Sequence, residues 1–369
     1  MKVYIYIAAI VLIAFSCKKD EPCGCDETRA YMLALGDFPY DITLEAVNNT
    51  STLMISDGDL AMMHFDGGVP WQEALDSTDY PAGFLSEIIG KTQRIPENHP
   101  VYLAVTPLAF ARDGLALNRG DNSNESLVSP WDTLALDDPL VVKAYLSYCR
   151  YMIRQFNPVY FAYAIEANLL IDKNPVKWES FVNLSRQVYQ SVKHEFPDLP
   201  IFFTIQAEAF HQSVTLHSEM LADILDYTDM IAVSTYPFVL YDNAAAIPAD
   251  YYADISALAS SKPFVISETS WPAENITAPS LFLFESDESM QKGYLQRLFE
   301  DLDKLNTRFV SWFFPVDYDG LWDNVLKDSP DAATVRLWKD CGLYNGTLKQ
   351  RPVSVLWLEA KAKILTGQE

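Results

Sequence analysis

Two glutamates end apolar runs in this chain. Glu166 closes "FAYAIE" (161–166) and Glu268 closes "FVISE" (264–268). An ionised carboxylate at the end of a buried strand is costly without a partner or a task. Two of them facing one space can do acid–base and nucleophilic work on a single bond. Cleavage of a glycosidic bond uses such a couple. At about 5–5.5 Å apart the two groups act with retention, one as nucleophile and the other as acid and then base. The residues behind Glu268 suit a sugar cleft, since "ETSWP" sets Thr269, Ser270, Trp271 and Pro272 directly after it. The plainer alternative for each is a solvated glutamate at a strand end, and the elements that carry them must decide.

Eight β-rich runs alternate with longer helical stretches. They are "YMLAL" (31–35), "LAMMH" (60–64), "VYLAVT" (101–106), "FAYAIE" (161–166), "IFFTIQ" (201–206), "MIAVSTY" (230–236), "FVISE" (264–268) and "FVSWFF" (309–314). Each is nearly continuous in apolar residues, as strands buried on both faces are. Amphipathic helices are expected over 138–155, 176–195, 286–305 and 351–365. The first opens with acidic residues and a proline and ends with basic ones, as a helix prefers. Eight strand–helix units predict an α/β fold, the (β/α)8 TIM barrel. A doubly wound sheet would bring a Gly-rich phosphate loop after its first strand. "GDFPYDIT" follows here instead, in a chain with only 14 glycines.

In such a barrel the chemistry sits at the C-terminal ends of the strands. Strand two delivers His64 and Asp66, with Trp71 nearby, and the loop after strand three carries Arg112 and Asp113. Strand four delivers Glu166 and Asn168, strand five Gln206 and Glu208, and strand six Tyr236. Strand seven brings Glu268 and Trp271, and strand eight Trp312 and Asp317. Glu166 and Glu268 lie 102 residues apart, three units of 34, on strands that face each other across the barrel. Glu208 is the rival acid. Trp71, Trp271 and Trp312 could each be core, but of the group at one rim at least one is expected to stack on sugar.

This set of strand ends resembles the clan-A glycoside hydrolases. "ISETSWP" is similar to the "SETGWP" nucleophile segment of plant-type β-1,3-glucanases, and the layout also resembles β-1,4-galactanases. The likeness of architecture spans nearly the whole chain after residue 28, while motif likeness is confined to the ends of strands four, six, seven and eight. The resemblance implies that Glu268 is the nucleophile and Glu166 the acid/base. It implies that Tyr236 hydrogen-bonds the nucleophile and that Trp312 floors the sugar subsite. One place departs from the pattern: where the clan sets Asn just before the acid/base, this chain has Ile165. Contact with the sugar 2-hydroxyl would then have to come from Asn168, Gln206 or Arg112. His64, Trp71 and Trp271 complete the expected substrate-binding set.

The first residues have a basic start at Lys2, an apolar run from Val3 to Phe15 and "LIAFSC" leading into Cys17. That run is short for a bilayer span and stands where a secretory signal does. It resembles a bacterial lipobox, which implies a lipid on Cys17 and a cell-envelope location, in the outer membrane and with surface exposure as a further expectation. "CKKDEP" is similar to the short export signals of Bacteroidetes surface lipoproteins. The expected organisation is a signal over 1–17, a tether over 18–28 and one glycosidase-like domain over 29–369.

With 50 acidic and 27 basic residues the net charge is −23, which argues against nucleic acid or an anionic membrane surface as partner. Eight Trp, 20 Tyr and 20 Phe suit the stacking of neutral sugar rings. A carbohydrate substrate and the lipid anchor are therefore the expected partners. The five histidines show no H-E-x-x-H and the cysteines no zinc spacing, so neither metal nor cofactor is expected. Cys149 is placed in a helix core, with a Cys149–Cys341 bridge left open. No G-x-S-x-G elbow points to an esterase. Two other classes stay in view: a non-catalytic glycan-binding lipoprotein on a degenerate barrel, and a barrel deacetylase, which would need a metal cluster.

Overall fold

The computed structural model describes residues 27–278, 282–329 and 331–366. The leader, Cys17, Cys23 and Cys25 lie outside them. Eight strands form a closed, all-parallel barrel: β1 (Met32–Gly36), β2 (Leu60–Phe65), β3 (Val101–Val105), β4 (Tyr160–Ala164), β5 (Ile201–Gln206), β6 (Ile231–Thr235), β7 (Phe264–Thr269) and β8 (Thr307–Trp312). They pair in chain order, and β8 closes on β1 through Phe309 opposite Met32. All eight apolar runs are strands, and the expected helices are present, including Pro139–Phe156, Trp178–Glu195, Glu288–Leu302 and Pro352–Ala362.

The strands are continuous in apolar residues because both faces are covered. Alternate side chains fill the barrel, where the rings of Tyr102 and Phe309 lie 4.9 Å apart and those of Tyr160 and Phe309 4.8 Å. Ala34, Ala104, Ala162 and Ala232 leave the room those rings need. Large side chains against small ones give a packed interior rather than a pore, so this filling closes the barrel below its C-terminal mouth. The other alternation faces the helices. The helix Pro139–Phe156 shows how the outer layer is held. Asp138 caps it, accepting the Leu140 N–H at 2.8 Å, and Asn157 ends it in a left-handed turn. Val141, Tyr145, Tyr148 and Met152 fall on its buried stripe at spacings of three and four. Losing such a cap costs about 0.5–2 kcal/mol.

Cys149 and Cys341 are both buried and unpaired, which closes the disulfide alternative. No helix among the described residues is long and apolar enough to cross a membrane.

Candidate active site

The two glutamates reach the mouth by different routes. Glu268 sits within β7, where the register with β6 shifts between Ile266 and Glu268 and sets Glu268 opposite Ser234. Glu166 lies two residues beyond the end of β4. There the register with β5 slips between Ala162 and Ala164, Ile165 turns into the barrel filling, and Glu166 takes a left-handed backbone with φ 50°. Thr204 of β5 secures this turn: its hydroxyl accepts the Glu166 N–H at 2.7 Å and its carbonyl the Ala167 N–H at 2.9 Å. A left-handed residue other than glycine costs roughly 1–3 kcal/mol and persists where the surroundings over-determine it, commonly at functional sites.

The side chains meet at Ser234. Its hydroxyl lies 2.8 Å from Glu166 Oε1 and 3.0 Å from Glu268 Oε1. Those two oxygens therefore cannot be more than 5.8 Å apart, the two hydrogen-bond lengths laid end to end. The Tyr236 hydroxyl donates to Glu268 Oε1 at 3.1 Å. Arg112, itself left-handed at φ 56° and almost wholly buried, forks onto Asp66 at 3.0 and 2.7 Å and lies 3.5 Å from Glu166 Oε2. His64 Nδ1 stands 3.5 Å from Glu268 Oε2.

Burial, then the charge of Glu166, pushes the Glu268 carboxyl up to about 8, while Ser234, Tyr236 and Arg112 pull the other way. Two carboxylates this close cannot both ionise cheaply, so the pair keeps one proton near neutrality. Burial pushes His64 down to about 4. It is neutral at pH 7, and its contact with Glu268 is a weak polar one rather than an ion pair. Tyr236 is held far above the usual tyrosine range, by burial first and then by Glu268 and Glu166, and remains a donor. Burial works against the Arg112 charge, but Asp66 and then Glu166 outweigh it and keep the guanidinium protonated.

Glu166, Glu268, Tyr236, His64 and Arg112 thus come together as expected. Others do not. Trp312, Trp271 and Trp71 are fully buried, so none is a sugar platform. Trp312 donates to the Cys341 carbonyl and packs between Tyr294 and Trp357 on the helix side of β8. Trp271 stacks on Tyr294 and Trp71 on Trp131. Strand side chains alternate between faces, so a one-residue error in reading a strand end exchanges mouth for core. The next residue, Phe313, is the one at the mouth, its ring 5.1 Å from that of His64.

Asn168 is buried as a clamp, accepting the Gln206 N–H and donating to the Gln206 carbonyl, with its amide against His217. The Gln206 side chain caps the helix that follows, accepting the Ala209 N–H. Of the three groups suggested for the sugar 2-hydroxyl, only Arg112 therefore stands beside the pair. Glu208 lies behind Tyr236. One of its oxygens takes the Thr235 hydroxyl, the Tyr236 N–H and the Tyr251 hydroxyl, each at 2.8 Å. Burial pushes it up to about 6, and its bonds mark it as a support rather than the acid.

Sequence reasoning missed Ser234, Phe313 and Trp338. Ser234 had a signal, because it lies two residues before Tyr236 and so shares its strand face. Trp338 had none. It comes from the long excursion after β8 and sets its ring 5.3 Å from that of Tyr236, with its indole N–H buried and unpartnered. Arg351 holds that excursion through Asp317, Glu288 and Glu274, and Arg336 and Lys339 through Asp340. Asp317 is therefore structural. Glu274, Asp317 and Asp340 are the one carboxylate cluster with metal-like spacing among the described residues, and these cations already pair with it.

No family model matches the chain, and no curated protein does. Solved structures do. An exo-β-1,4-mannosidase from Opitutaceae bacterium strain TAV5 superposes with a TM-score of 0.63 at 14% identity over 91% of this chain. This chain spans only 60% of that one. A GH5_18 protein from Streptomyces cattleya, in complex with GlcNAc, gives 0.64 at 16% identity, covering 90% of this chain and 80% of its own. A β-D-glucuronidase from Dictyoglomus thermophilum gives 0.53 at 15%, covering 92% of this chain and 51% of its own. At these identities the likeness establishes the fold: a (β/α)8 barrel of the kind these glycoside hydrolases share.

Proposed function

We propose that this chain is a retaining glycoside hydrolase of the clan-A type, working by double displacement. The observation that carries this reading is the Ser234 hydroxyl held by both glutamates, which limits their facing oxygens to 5.8 Å. Inverting enzymes need about 6.5–9.5 Å between the two carboxyl groups to admit a water, whereas retaining ones use about 5–5.5 Å. In the form of the pair whose single proton stands on Glu166, Glu268 attacks the anomeric carbon while Glu166 gives that proton to the departing glycosidic oxygen. Glu166 then takes a proton from water, which displaces Glu268 from the anomeric carbon. Tyr236 steadies the ionised Glu268, and His64, Arg112, Phe313 and Trp338 line the sugar pocket.

The test is turnover on a panel of β-glycosides. The names of the structural neighbours put β-1,4-mannosides, Man-β-1,4-GlcNAc and β-glucuronides in the panel; β-glucans and β-1,4-galactans come from the sequence. Release of a reducing end from at least one is expected, and its loss in Glu268→Ala. One observation favours a second reading, a glycan-binding protein without turnover: Ile165, which stands where the clan has its 2-hydroxyl ligand, is buried in the barrel. Binding without product on the whole panel would establish it. For location we propose a lipid on Cys17 that holds the protein at the bacterial outer membrane. Metabolic labelling with a radioactive fatty acid, lost in Cys17→Ala, checks it.

A further inference from the structure

One hydroxyl touches both acidic groups. Ser234 is fully buried, 2.8 Å from Glu166 Oε1 and 3.0 Å from Glu268 Oε1. A serine hydroxyl has one proton to donate and lone pairs to accept with, so it cannot donate to two carboxylates at once. With both glutamates ionised, one of these contacts is an unrelieved approach of two oxygens. With exactly one protonated, the chain closes: the protonated carboxyl donates to Oγ, and Oγ–H donates to the ionised partner. With both protonated the chain also closes, but its last acceptor is neutral, and hydrogen bonds to a charged acceptor are roughly twice as strong. The singly protonated pair therefore gains most from Ser234, on both sides of its pH range.

We propose that Ser234 is a positioning residue that holds a single proton between Glu166 and Glu268 and so widens the pH window in which the pair carries one charge. It deepens the hydrolase reading above and rests on it for its consequence, since that mechanism needs one protonated and one ionised carboxyl.

The other groups facing the pair each make close contact with one member, though the charge of Arg112 is felt by both. From β6, Tyr236 donates to Glu268. From β2, neutral His64 approaches Glu268 Oε2 and Asp66 holds Arg112, which approaches Glu166 Oε2 from the loop after β3. Tyr102 of β3 senses the Glu268 charge from within the barrel. Thr204 of β5 contacts the Glu166 backbone, and Glu208 is turned toward Thr235 and Tyr251. β8 brings the phenyl ring of Phe313 against His64. Among the described residues only Ser234 is within hydrogen-bond distance of both carboxylates.

The test titrates the side-chain carboxyl carbons of the 13C-Glu-labelled protein by NMR, with Glu166→Gln and Glu268→Gln to assign the two signals. Ser234→Ala and Ser234→Thr are compared with the unaltered chain. In Ser234→Ala the lower step moves up and the upper step moves down, by about one pH unit each, the worth of a charge-assisted hydrogen bond. Ser234→Thr, which keeps the hydroxyl, retains the original spacing. Both limbs of the pH–rate profile move inward in Ser234→Ala to match. Steps that stay in place, or that move in the same direction, overturn the proposal. The titration needs no substrate. A protein that hydrolyses nothing yet shows the narrowed spacing sinks the hydrolase reading and leaves this one standing; turnover with unmoved steps does the reverse.

Discussion

The two sides of the cleft are built on opposite plans. Glu268 stands inside its strand, buried and hydrogen-bonded, set opposite Ser234 where β7 shifts register against both neighbours. Glu166 stands past the end of its strand, in a left-handed turn held by Thr204 and by the Leu169 N–H on its own carbonyl. The contrast matches the two tasks. A nucleophile must hold one position, and a strand interior supplies rigidity. The acid proposed here must serve first a leaving oxygen and then a water, and Glu166 sits beyond its strand in a left-handed turn.

If that difference is functional, removing the two carboxyls should have different consequences. Glu268→Ala is expected to lower kcat by more than about 10⁴-fold on every substrate, because the covalent step disappears. Glu166→Ala is expected to cost about 10²–10⁴-fold on natural glycosides, the range of acid–base assistance. It should cost far less on aryl glycosides, whose leaving groups depart without a proton. Equal losses on both substrate types in Glu166→Ala would remove the distinction between the two sides.

The aromatic positions of β8 sharpen the picture next. Phe313→Leu is expected to raise KM about tenfold with little change in melting temperature. Trp312→Leu, which hollows the packing between Tyr294 and Trp357, should destabilise the fold by about 3–5 kcal/mol, on the scale of large core truncations. The reverse pattern, read from kinetics and thermal unfolding, would return Trp312 to the sugar pocket.

Thr204→Val probes the acid side alone. It leaves the Glu166 N–H without its acceptor, at a cost of about 1–3 kcal/mol in stability. It should lower kcat roughly tenfold by mis-aiming the carboxyl, while the rate of attack by Glu268 on activated aryl glycosides stays near that of the unaltered chain. The smallest effect belongs to Glu268 itself in stability. Its folded-state value is raised to about 8. Stability from its protonated form is therefore complete below the ordinary glutamate range of about 4.3 and is lost as pH rises through 8. Glu268→Gln, which cannot ionise, should thus raise the melting temperature at pH 8 and leave it nearly unchanged at pH 4. Equal changes at both values would show that Glu268 is not the strained member of the pair.

The same contrast explains how much could be read from the chain. Continuous apolar runs bounded by polar loops reveal buried parallel strands, so all eight strands and the barrel followed from periodicity. Glu268 and Tyr236 followed as well, because each closes or follows an apolar run, although the register shift of β7 just before Glu268 was not legible. Glu166 was found by its place after an apolar run, but its left-handed turn was not, since that depends on Thr204 from another strand. Trp312 was misplaced because "WFF" is apolar throughout and gives no alternation to fix which residue faces the mouth. Asn168 and Gln206 were misassigned because a polar residue near a strand end serves equally well as a clamp, a cap or a ligand, and only packing separates the three. Trp338 was invisible, carried in by a loop whose course is set by the ion pairs around Arg351 and Asp340.

The most direct test of the central claim is the configuration of the first sugar released, followed by proton NMR during the opening minutes of hydrolysis. A pair held within 5.8 Å by one serine hydroxyl predicts that the first anomer keeps the configuration of the substrate, with mutarotation only afterwards. An inverted anomer appearing first would contradict it.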